Sequence, residues 1–82
     1  MDFTASLTTA EKIAACDAAE DQISARVYEY ILMLGVDPAT FDNASYVVPA
    51  GHEDVLVYAV EHHLKERLDA LAAVKAHKTS LS

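Results

Sequence analysis

Little in this chain bends the backbone, cross-links it or carries positive charge: there are two glycines, two prolines, one cysteine, and 6 Lys and Arg against 13 Asp and Glu in 82 residues. A lone Cys16 cannot close an internal disulfide, and its alanine-rich helical setting is that of a small core hydrophobe. The apolar runs, such as residues 30–36, fall far short of the roughly 18 residues that a membrane span needs. Met1-Asp2 opens no signal peptide, so a cytoplasmic protein is expected and the Asn43-Ala44-Ser45 sequon carries no glycan there. A formal charge of -7 leaves no basic footprint for counterion release, which argues against direct binding to DNA or RNA. Apolar residues are not scarce. At 52% they offset chain entropy, and the length suits one globular domain over residues 1–82.

Fifteen alanines, with Leu, Glu and Lys around them, favour helix, and strand signals are almost missing. Thr8-Thr9-Ala10-Glu11 has capping-box spacing and should open helix one. Gly35 should close it in the left-handed conformation, with Val36 reaching back to Ile31. Asp37-Pro38 then predicts a short helical turn over 38–42, and Pro49 holds the preceding Tyr46-Val47-Val48 extended. The second helix is expected to begin near Gly51 and to fray over 79–82. The fold predicted is therefore all-α: an antiparallel two-helix hairpin, with helix one at about 9–34, a connector at 35–51 and helix two at about 52–77.

Helix one carries an apolar stripe at Ile13, Cys16, Ile23, Val27, Tyr30, Ile31 and Leu34, interrupted by Glu20. Helix two carries one at Leu56, Val57, Val60, Leu64, Leu68, Leu71 and Val74, interrupted by Arg67. One antiparallel register pairs Ile13 with Val74, Cys16 with Leu71, Ile23 with Leu64, Val27 with Val60 and Tyr30 with Val57. It also sets Glu20 against Arg67, so a structural ion pair between the two interrupting charges is expected. A bare hairpin buries only one side of each helix. Either the connector folds back over it, bringing Phe41, Tyr46, Val47 and Val48, or two chains dimerise into a four-helix bundle through the row Ala14, Ala18, Ala25 and Leu32.

Catalytic constellations are lacking. His62, Glu66 and Asp69 share one side of helix two, but a zinc site needs three or four converging ligands with supporting contacts, so no metal and no cofactor are expected. Cys16 has only Lys12 near it, and no nucleophile elbow or phosphate-cradling glycine loop occurs. The expectation is a protein that is not an enzyme.

The charge map is more informative. No Lys or Arg lies between Val27 and Leu64, while Glu29, Asp37, Asp42, Glu53, Asp54 and Glu61 all do. In a hairpin these acids gather at the connector end, with Lys12, Lys75 and Lys78 at the other. Phe41, Tyr46 and Tyr58 are interleaved with them and could supply the desolvated anchors an interface needs. The partner implied is a basic surface of another protein.

The stretch Glu11-Lys12-Ile13-Ala14-Ala15-Cys16-Asp17-Ala18-Ala19-Glu20 resembles the opening helix of small acidic phage proteins of the anti-CRISPR kind, some of which mimic nucleic acid with carboxylates. The resemblance covers ten residues and implies an inhibitor that occupies a nucleic-acid-binding groove. The alternative is a homo-oligomeric assembly subunit that uses the leftover apolar rows.

Overall fold

The computed structural model describes residues 6–48 and 54–82, and among these it contains two α-helices and no strand. Helix α1 spans Thr9–Met33 and helix α2 spans Val55–Leu81. The α1 entrance is the capping box: the Glu11 N–H donates to the Thr8 hydroxyl and the Thr8 N–H to the Glu11 carboxylate, both at 3.1 Å. These bonds satisfy two donors that have no partner within the helix and hold the Glu11 carboxyl below its usual pKa. Its exit is the expected glycine cap. Gly35 sits at φ 74°, its N–H donating to the Leu32 carbonyl at 3.0 Å and that of Val36 to Ile31 at 3.3 Å.

Asp54 caps α2, its carboxylate accepting from the N–H groups of Leu56 and Val57. The expected start near Gly51 lies outside the described residues. The C-terminal end differs from expectation, because helix continues to Leu81 instead of fraying from residue 79. Lys78 explains part of this extension. Its ammonium hydrogen-bonds Asp17 on α1 and ties the last turn of α2 to the hairpin.

The helices pack antiparallel, but not in the expected register. Asp17 lies beside Lys78 where the anticipated pairing placed Ala70, and the Tyr30 ring stacks on His63 where it placed Val57. The slide is about two helical turns, roughly 10 Å at 1.5 Å per residue. Val27 and Ile31 consequently form the core with Leu64 and Leu68, and Leu64 is completely buried. The Glu20–Arg67 pair does not form. The carboxylate near Arg67 is its neighbour Glu66, at 3.9 Å, and Glu20 instead lends its charge to Lys78. Leu56, assigned to the buried stripe, is 74% exposed because the slide carries the first turn of α2 past the end of α1.

The connector folds back and supplies a third layer. Phe41 and Tyr46 pack on the Val27–Ile31–Leu64–Leu68 cluster with ring centroids 5.2 Å apart. Pro38 and Asn43 lie over the groove between the helices, beside Ser24, Val27 and Leu71. The 38–42 segment makes a single helix-like turn, with N–H groups of Thr40 and Phe41 donating to the carbonyls of Asp37 and Pro38. This strap, residues 36–48, covers the apolar side that a bare hairpin would leave open.

Candidate functional site

The acids nominated for docking divide by what their carboxylates do. Asp37 accepts from the Ala39 N–H and Asp42 from the Ala44 N–H, each at 3.0 Å, and Asp54 caps α2. All three are exposed, so each keeps its charge at the surface while shaping its turn. Glu29 is exposed and pairs with Arg26 at 3.0 Å, which offsets its charge. Glu53 lies outside the described residues.

Glu61 departs from expectation: it is not a surface acid but is buried, 9% exposed, on the strap side of α2. The Tyr46 phenol lies against its carboxylate. Burial first, then the charge and hydrogen bonding of Glu61, raise the Tyr46 pKa above the ordinary tyrosine value. Phe41 and Tyr46 are accordingly not free anchors for a partner, since both are half-buried against the protein's own core. Tyr58 is half-buried as well and meets His62 edge-on at 4.2 Å.

Other apolar residues take the place those aromatics were expected to fill. The large hydrophobic side chains exposed among the described residues are Tyr28, Leu32, Met33, Val36, Val47, Val55 and Leu56. Every one lies in the segment that carries no Lys or Arg. Leu32, Met33 and Val36 lie around the end of α1, while Val55 and Leu56 form the overhanging first turn of α2, so all five lie toward the connector end. Asp37 and Asp54 stand next to them in the chain. Leu32 and Met33 fall off the α1 stripe, whereas the exposure of Leu56 follows from the register.

The opposite end is different in kind. Lys12 and Lys78 stand there with Glu11, Asp17 and Glu20, and Lys78 is held by Asp17, whereas Lys75 lies beside Asn43 and Ala44 of the strap. Its hydrogen bond and the Asp17 charge raise the Lys78 pKa. Charge is nearly balanced at this end and in excess at the other.

No group of three His, Cys, Asp or Glu converges among the described residues. Lys65 pairs with Asp69 at 3.0 Å and His63 with Glu66 at 3.7 Å, along one helix. Two open cavities of about 170 and 160 Å³ flank Asn43 at the strap tip. Among the described residues no helix is long and apolar enough to cross a membrane. In comparisons with protein-family models, curated proteins and solved structures, nothing matches the chain.

Proposed function

We propose that this protein is a non-enzymatic acidic interaction module that docks its connector end on a basic surface of another protein. One observation carries the reading: the exposed large apolar residues and the cation-free acidic segment coincide in the same stretch, residues 28–56. Apolar side chains that become desolvated supply affinity, and the acids around them speed encounter with a positively charged partner and disfavour a negative one. Leu32, Met33, Val36, Val55 and Leu56 are the anchors in this account, with Asp37, Asp42 and Asp54 as the steering charges. A groove that binds nucleic acid is basic by necessity, so an inhibitor competing with phosphates for such a groove is the form of docking this charge pattern suits best.

The test begins with a pull-down from the native host. Association rates of the captured partner are then compared for the wild type and for Asp37→Lys, Asp42→Lys, Asp54→Lys combined. The triple variant should associate at least about tenfold more slowly at low salt, and the difference should shrink as salt rises. Equal rates would reject the docking role. Salt-insensitive self-association in light scattering would instead favour the assembly-subunit alternative, with the exposed row Ala14, Ala18 and Ala25 as the contact.

A further inference from the structure

We propose that the groove between α1 and α2 at the strap tip is a binding site for a small amphipathic carboxylate, a compact apolar body that ends in one negative charge. Each helix gives this groove one stripe at the spacing of a single face: Ser24, Val27, Tyr28 and Ile31 on α1, and Leu68, Leu71, Ala72 and Lys75 on α2. The two open cavities share Asn43 and Leu71 as walls, so they adjoin. Phe41 and Tyr46 line neither of them, and the strap leaves this length of groove uncovered. An apolar concavity between helices with a few polar groups at its edge is the usual form of a small-ligand site. The groove is distinct from the connector-end patch, and the inference stands independently of the docking role assigned to that patch.

Charge selects the ligand. The chain holds 13 Asp and Glu, yet no carboxylate lines either hollow. The one charged side chain there is Lys75. Lys65 and Lys78 are bound to Asp69 and Asp17, whereas no Asp or Glu among the described residues lies within 4 Å of the Lys75 ammonium. A carboxylate placed beside Lys75 therefore gains a charge-assisted hydrogen bond without breaking an ion pair of the protein. The body of the same ligand displaces water from Leu68, Leu71 and Ala72, which supplies the apolar part of the affinity. A basic ligand would meet Lys75 as a like charge and find no acid in the walls. In the adjoining hollow the Ser24 hydroxyl, the Tyr28 phenol and the Asn43 carboxamide make no hydrogen bond to the described residues, so they are open to a polar substituent on the ligand.

Phenylpropionate serves as probe, beside its neutral amide and phenylpropylamine, which keep the ring and remove or reverse the charge. Each is titrated into the full chain and followed by the methyl NMR shifts of Val27, Leu68, Leu71 and Ala72. The acid should give saturable shifts at these four methyls and bind at least about threefold more tightly than the amide or the amine. Lys75 is exposed, so Lys75→Gln leaves the packing intact. That variant should bind acid and amide equally, with the affinity for the acid down by about threefold. Lys12→Gln, at the other lysine without a carboxylate partner, should leave the acid's affinity unchanged. Equal binding of acid and amide by the wild type, no effect of Lys75→Gln, or an equal loss in Lys12→Gln would overturn the site. Shifts confined to Leu32, Val36 and Leu56 would overturn it as well and leave the connector-end reading standing.

Discussion

Lys78, in the last turn of α2, hydrogen-bonds Asp17, 61 residues earlier in the chain. This contact reports the sliding position of the two helices, on which it depends which residues are core and which are left at the open end. The pairing is solvent-exposed, so its energy is modest. Its value is as a marker of register.

The register predicts a contrast between two leucines eight positions apart. Leu64→Ala should destabilise by about 3 kcal/mol, since it removes a fully buried side chain from the core. Leu56→Ala should cost less than about 0.5 kcal/mol because that side chain is exposed. Urea unfolding of both variants checks this, and comparable losses would restore the register in which Leu56 faces Ile31.

Glu20 and Arg67 should behave as independent surface charges. A double-mutant cycle with alanine at both positions should give a coupling energy below about 0.3 kcal/mol, within the additivity expected for separated sites. A coupling of several times that value would mean that the two side chains meet.

Alkaline pH should release the strap. The folded-state pKa of Tyr46 lies above its unfolded value, so its contribution is fully present below the unfolded pKa near 10 and is lost as pH rises through the raised folded pKa. Absorbance titration at 295 nm should show a late-ionising tyrosine, and Tyr46→Phe should abolish that late step. Lys78 has the same sign, its raised pKa weakening the Asp17 tie only above the ordinary lysine range.

Replacing Gly35 with Ala should cost about 1 kcal/mol from backbone strain alone. Nothing lies within 4 Å of where the added Cβ would sit, so no steric clash contributes. An unchanged melting temperature would contradict the left-handed cap.

Helix existence, the capping box and the glycine cap were legible because each depends on residues within a few positions of one another. Register was not. Apolar stripes of similar period match again after a slide of about two turns, so Ile31 can meet Leu56 or Leu64 with the same faces buried. The strap breaks that degeneracy: Phe41 and Tyr46 need a seat on Val27, Ile31, Leu64 and Leu68, and only a three-dimensional connector path supplies one. The burial of Glu61 follows from the same path. On the sequence it is one acid among six in a cation-free segment, and nothing local distinguishes it from Asp37 or Asp54. The apolar anchors at the connector end were hidden for a related reason, since exposure of Leu56 depends on where α1 stops relative to α2.

The most direct test of the docking role is site-specific photo-crosslinking in lysate from the native host, with the reactive side chain placed at Leu56 in one protein and at Ala14 in another. Both positions are exposed and lie toward opposite ends of the hairpin. The account predicts that the Leu56 probe captures a basic protein, that capture falls with added salt, and that the Ala14 probe does not capture it. Capture of the same partner from Ala14 and not from Leu56 would contradict it.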